Sequence, residues 1–121
     1  MQIEKLTKNF TVCKIFELEK FFDYGEIFFI GKTDEEISLL CETEKVPKNF
    51  SEREDGWKGF KISGILDFSL IGILAKISAL LAENKISIFA VSTFNTDFIF
   101  VKQENFSNAI KILSDNGYSI K

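Results

Sequence analysis

In the second half of the chain the apolar residues switch four times between strand-like and helical spacing. Phe60 to Ile65 (FKISGI) is a candidate strand. Leu70, Ile73, Leu74, Ile77, Leu80 and Leu81 then recur at helical spacing, with Lys76, Glu83 and Asn84 off the stripe. Asp67 or Ser69 can cap that helix, and Asn84 can end it in a left-handed conformation. Ile86 to Val91 and Asp97 to Lys102 are two apolar runs around a polar turn, Ser92 to Asp97. Phe106, Ala109, Ile110 and Leu113 share a second helical face, Gly117 stops it, and Tyr118-Ser119-Ile120 makes a short last strand. The predicted order is β-α-β-β-α-β, the ferredoxin-like split βαβ arrangement of the α+β class. In the central hairpin Ile86, Ile88 and Ala90 alternate with Ser87, Phe89 and Val91, and Phe98 and Phe100 with Ile99 and Val101. A sheet apolar on both faces must be covered on both, here by the N-terminal half, a second subunit, or the two together.

The first half has a different rhythm. After a polar start, Thr11 to Phe16, Glu26 to Lys32 and Ile37 to Thr43 are candidate strands, while Leu18 to Gly25 is too short for a sizeable helix. Pro47 and the polar run at residues 49–56 (NFSEREDG) mark a linker. Moved forward by 61 positions, Ile27 to Thr43 falls without a gap on Ile88 to Glu104, so that Glu36 meets Asp97 and Leu39 meets Phe100. Either two apolar hairpins align by chance or the first half is a shortened version of the second. The expected division is a shortened unit at residues 1–58 and a complete one at 59–121.

Composition narrows the function classes. The 121 residues suffice for a core without staples, and 45% hydrophobic content argues against disorder. Leu70 to Ala75, the most apolar stretch, is broken by Lys76 and Ser78, and no apolar region follows Met1 to Lys5, so neither a membrane span nor a signal peptide is expected and the default location is the cytoplasm. Cys13 and Cys41 form no CxxC and are expected to be buried free thiols. With no histidine, Ser-His or Cys-His catalysis and the common zinc sites are excluded. No nucleophile–base pair or glycine-rich phosphate loop is legible, so no enzyme activity, metal or cofactor is expected. A net charge of −3 and a single arginine, Arg53, argue against a nucleic-acid partner, although Phe98-Ile99-Phe100-Val101-Lys102 has the strand aromatics that RNA-recognition domains use.

Most of the remaining chemistry lies in Ser92-Thr93-Phe94-Asn95-Thr96-Asp97, where three hydroxyls, an amide and a carboxylate surround one aromatic. Reversing a chain requires less hydrogen-bonding capacity. Asp97 either caps the turn or receives a ligand ammonium group through a charge-assisted hydrogen bond. Ser92, Thr93 and Thr96 either make the turn or also touch ligand, and Phe94 is either a core anchor or a lid. Gly72 is expected in the first turn of the helix, where glycine costs about 1 kcal/mol relative to alanine. There it admits either a packed backbone or a ligand carboxylate at free N–H groups. Asp67 and Phe68 share this ambiguity, and Trp57 is a structural plug at the junction between halves.

Several stretches resemble the ACT-domain proteins, and among them the short tandem-ACT proteins related to the eukaryotic cytosolic arginine sensors. These are Thr33 to Cys41 (TDEEISLLC), Pro47, Gly56-Trp57, Gly64 to Leu74 (GILDFSLIGIL) and Ile86 to Phe98 (ISIFAVSTFNTDF). The resemblance implies tandem ACT-like units paired as a homodimer, with an amino acid or similar small polar metabolite held at an interface between units. It carries ligand contacts onto Asp67 and Leu70 in the loop before the helix and onto Thr93, Phe94, Thr96 and Asp97 in the turn. Leu70 stands where an arginine sensor has glutamate, which removes a charge suited to a cationic ligand. The expected function is a non-enzymatic amino-acid sensor, with ligand between the 67–72 loop and the 92–97 turn. A structural or protein-interaction module with a vestigial pocket is the alternative.

Overall fold

The structure, a computed structural model, describes residues 2–63 and 72–121. Its elements are β1 (Gln2–Lys5), β2 (Phe10–Ile15), β3 (Phe29–Lys32), β4 (Ile37–Glu42), a 3-10 turn (Thr43–Lys45), β5 (Phe50–Ser63), α1 (Ile73–Glu83), β6 (Phe89–Ser92), β7 (Asp97–Lys102), α2 (Gln103–Asp115) and β8 (Ser119–Ile120). They divide into two compact units, one of Met1–Thr7 with Lys58–Lys121 and one of Lys8–Trp57.

In the first of these, β5, α1, β6, β7, α2 and β8 follow in the expected βαββαβ order. The polar start is not a tail. Gln2–Lys5 is a strand that pairs antiparallel with β5 and parallel with β8, giving the neighbours β8-β1-β5-β7-β6. Four residues with one buried apolar side chain, Ile3, carry too little pattern to be recognised alone; the ladder on both sides makes them a strand. The core forms where one face of this sheet meets both helices. Ile3, Phe60, Ile62, Ile99 and Val101 pack with Ile77 and Leu81 of α1 and Ala109 and Leu113 of α2. Each large side chain buried there stabilises the fold by about 1.5–3 kcal/mol. Phe100 alternates with Ile99 and Val101, so it points to the opposite face, and it is also fully buried. Its ring leaves no space beside Gly59, where a Cβ would lie 2.6 Å from ring carbons Cδ1 and Cε1.

The second unit is a sheet ordered β3-β4-β2-β5, with β5 contributing its first residues. One face buries Cys13, Ile15, Leu39, Cys41 and Tyr24, with Phe22, Ile37, Val46 and Phe50 packed against them. Residues 16–28 contain no regular element. They supply aromatic cover, with the Tyr24 ring 4.8 Å from Phe22 and 5.3 Å from Phe28 and its hydroxyl accepting the Glu19 N–H.

The expected linker at residues 49–56 is corrected: Phe50–Ser63 is one strand of fourteen residues. Its polar start pairs residue by residue with β2, Lys14 with Glu52, Cys13 with Arg53 and Val12 with Glu54. Charged composition suggested a linker because these side chains are solvent-exposed; the backbone ladder holds them in a strand. A polar network fastens the same region. Thr11, the buried polar residue of the core, donates to Asp55 Oδ1 at 2.6 Å and lies 2.9 Å from the Thr43 hydroxyl, and Arg53 donates to the same Asp55 oxygen at 2.8 Å. The sequence offered no signal for this network, because its members lie on three separate elements.

Candidate ligand site

The β6–β7 hairpin presents the polar turn. Ser92 and Asp97 are the last pair of the ladder, and the Ser92 hydroxyl donates to Asp97 Oδ1. Thr93 closes the turn, its N–H donating to Thr96 O at 2.8 Å. Its hydroxyl donates to that carbonyl at 2.9 Å and accepts the Thr96 N–H at 3.2 Å. The Thr96 hydroxyl donates to Ile62 O on β5, tying the turn to the sheet. All three hydroxyls therefore have structural work. Asp97 is half-buried, and its second oxygen has no hydrogen bond among the described residues. Asn95 is exposed. Phe94 is not a core anchor: it is 93% exposed at the tip of the turn.

Gly72 needs correction as well. It lies in the position before α1, with φ +83, a left-handed conformation, and its carbonyl accepts the Lys76 N–H at 2.9 Å to begin the helix. It carries no side-chain cap, and a Cβ built on it meets nothing within 4 Å among the described residues. Backbone conformation is what favours glycine there. The helix also ends differently. Asn84 has φ −98 and donates its side-chain N–H to Leu80 O, while Lys85 takes the positive φ of +60. Asp67, Phe68, Ser69 and Leu70 lie outside the described residues, so the loop expected to face the turn is not part of this geometry.

The two hairpins are superposable in pattern, but at 60 positions rather than 61. Phe29 to Glu42 and Phe89 to Lys102 share strand limits, and β4 and β7 share one sequence of burial along their six residues. Thr33 donates to Glu36 O at 2.9 Å as Thr93 does to Thr96 O. The hydrophobic pattern alone could be slid by one because both strands are apolar on both faces. In the observed register Glu36 matches Thr96, and Asp97 matches Ile37.

Elsewhere, Cys13 and Cys41 are free and buried. Burial is the largest cause raising both thiols, pushing Cys41 up to about 12, so neither is a nucleophile at neutral pH. Two open grooves, of about 490 and 670 Å³, are lined respectively by Val12, Lys14, Glu36 and Ser38 with part of β5 and by the outer face of α1 with residues 85–88; neither includes the turn. Among the described residues no three Cys, Asp or Glu side chains are grouped to hold a metal, and no helix is long and apolar enough to cross a membrane.

Residues 52–115 match the family model described as ACT domain. No curated protein matches the sequence. Among solved structures, the chain is similar to a protein of Agrobacterium tumefaciens at 26% identity and TM-score 0.89, covering 99% of this chain and 91% of that one. A Vibrio cholerae protein, described as of unknown function and a possible transport protein, gives 20% identity and TM-score 0.75, covering 94% and 88%. An allosteric aspartate kinase of Clostridium acetobutylicum gives 19% identity and TM-score 0.66, with 92% of this chain matching 33% of that one.

Proposed function

We propose, from the premise that this chain belongs to the ACT-domain family, that it is a non-enzymatic regulatory module binding an amino acid. ACT domains are in general modules of that kind. The ligand would lie between the 67–72 loop and the 92–97 turn. One observation carries the assignment to this turn: Asp97 keeps one carboxylate oxygen without a described hydrogen bond, at the end of a ladder whose turn is closed by hydrogen bonds of Ser92 and Thr93. That oxygen suits the α-ammonium group through a charge-assisted bond, with Phe94 as an aromatic lid. Ligand carboxylate would meet the helix start beside Gly72. Kinship with the eukaryotic arginine sensors is part of the proposal, on the GILDFSLIGIL and STFNTD blocks, with Leu70 favouring a neutral side chain over arginine. So are a cytoplasmic homodimer and a shortened ACT-like first half up to residue 58, less the β1 strand that pairs in the other unit.

Thermal-shift titration of the purified protein with each common amino acid tests this. A ligand at a hundred times its Kd should add roughly 2.7 kcal/mol of stability. Asp97→Ala should remove the response, and stabilisation by none of the amino acids would sink the reading. The hydroxyls of Ser92, Thr93 and Thr96, all used within the fold, favour a second reading, a protein-interaction module without ligand. A partner retained equally with and without amino acids would select it.

A further inference from the structure

Residues 16–28 expose apolar side chains that the unit's own core does not use. Phe16 is 72% exposed, Leu18 44% and Phe21 94%. Phe21 occupies the third position of a turn closed by the Phe22 N–H donating to Glu19 O at 3.4 Å, with φ +68. Glycine is the ordinary residue where a turn requires positive φ; a bulky aromatic there is a conformational outlier. This phenylalanine is therefore unfavourable twice over, in backbone conformation and in apolar exposure. Within the fold it gains a contact with the Lys20 ammonium, 5.4 Å from its ring centre. Strain of this sort persists at functional positions.

The charges around the patch indicate what would cover it. Glu17, Glu19, Asp23 and Glu26 lie in the same segment against Lys20, and Asp23 is bound to Lys45 at 2.8 Å. Glu17, Glu19 and Glu26 have no ion pair among the described residues. Glu17, Glu19 and Glu26, in the same segment as the exposed Phe16, Leu18 and Phe21, repel an anionic lipid surface and the same acidic face of a second copy. We propose that this surface docks a basic amphipathic segment of another protein, with Phe21 and Phe16 as apolar anchors and the glutamates pairing with its lysines or arginines. Nothing in this inference rests on the amino-acid site, and the two fail separately.

The test uses the full chain and a fluorescent helical peptide of leucine and lysine, with a leucine–glutamate peptide of the same spacing as control. Binding of the lysine peptide alone, weakening as salt rises, is expected. Phe21→Gly should weaken it about tenfold or more, and Phe16→Ser should also weaken it. The same Phe21→Gly variant should melt at a temperature no lower than wild type, because glycine relieves the turn. Equal binding of both peptides, unchanged binding by Phe21→Gly, or a lower melting temperature for that variant would overturn the proposal. So would binding to phosphatidylglycerol vesicles or self-association that Phe21→Gly abolishes.

Discussion

Replacing Gly72 by alanine separates two accounts of the helix entry by the sign of the effect. Were Gly72 inside the first turn, alanine would stabilise by about 0.8–1 kcal/mol through helix propensity. With φ at +83 outside the helix, alanine meets the steric cost of the left-handed region, about 1–2 kcal/mol. Reduced freedom of the unfolded chain offsets about 0.4–1 kcal/mol of it. Among the described residues no clash adds to the cost, since a Cβ meets nothing within 4 Å there. Gly72→Ala should therefore destabilise by roughly 1 kcal/mol, about 2 kcal/mol from the helical expectation. In a chain of this size the two outcomes differ by about 8 °C in Tm. Gly72→Asn should be milder than alanine, because asparagine tolerates that region. Urea and thermal unfolding of the three proteins, with unchanged m, measure the order. A Tm above wild type for Gly72→Ala would refute the assigned conformation and restore the helical glycine.

Gly59→Ala puts a Cβ 2.6 Å from the Phe100 ring and should cost about 1–3 kcal/mol by overpacking. Phe100→Leu in the same chain should recover part of that loss in a double-mutant cycle. Thr11→Val removes the hydroxyl bonded to Asp55 and Thr43 and should cost about 1–3 kcal/mol in urea unfolding, with Thr11→Ser close to wild type. Cys41 is raised from 9 to about 12, chiefly by burial. The unfolded chain ionises it first, so its contribution is complete below pH 9 and declines by about 1.4 kcal/mol per pH unit until the native thiol ionises near 12. Cys41→Val should flatten the alkaline fall of stability between those limits; an unchanged slope would remove the thiol as its cause.

Elements with a sustained period were legible before the fold was known. The α2 stripe, the β7 strand and the last strand at Ser119–Ile120 fall where apolar spacing predicts them, and the α1 stripe does so from Ile73 on, with Gly72 rather than Asp67 or Ser69 before the helix. What was illegible depends on the backbone or on distant partners. The Ser51 to Asp55 part of β5 has a solvent-exposed, charged sequence and is a strand because β2 pairs with it. β1 is a strand because β5 and β8 flank it. At the end of α1 the positive φ falls on Lys85 rather than Asn84, because the Ile86 N–H still reaches Leu81 O and sets the turn one residue later. In the candidate site the turn and its acid were readable; that its hydroxyls bond within the fold was not, since the Thr96 acceptor, Ile62 O, is 34 residues away.

The corrected register of the two hairpins bears on which turn residues are needed for the fold and which are free for something else. Counterparts 60 positions apart share the threonine that closes the turn, Thr33 and Thr93, each with its hydroxyl accepting the N–H three residues on. A feature present in both turns is explained by hairpin geometry alone. Asp97 has no such counterpart, because Ile37 stands in its place, and the acid of the first turn, Glu36, sits where Thr96 reaches Ile62 O. Phe94 likewise stands where the first turn has Asp34. Hairpin geometry therefore accounts for Thr93, whereas Phe94, and Asp97 beyond its bond from the Ser92 hydroxyl, are particular to the second turn. With Asp97 matched to Glu36, as in the slipped register, the acid would have looked like a repeated structural feature. Shifted by one, it becomes particular to the second hairpin, which strengthens its claim as a ligand contact and weakens that of Thr93.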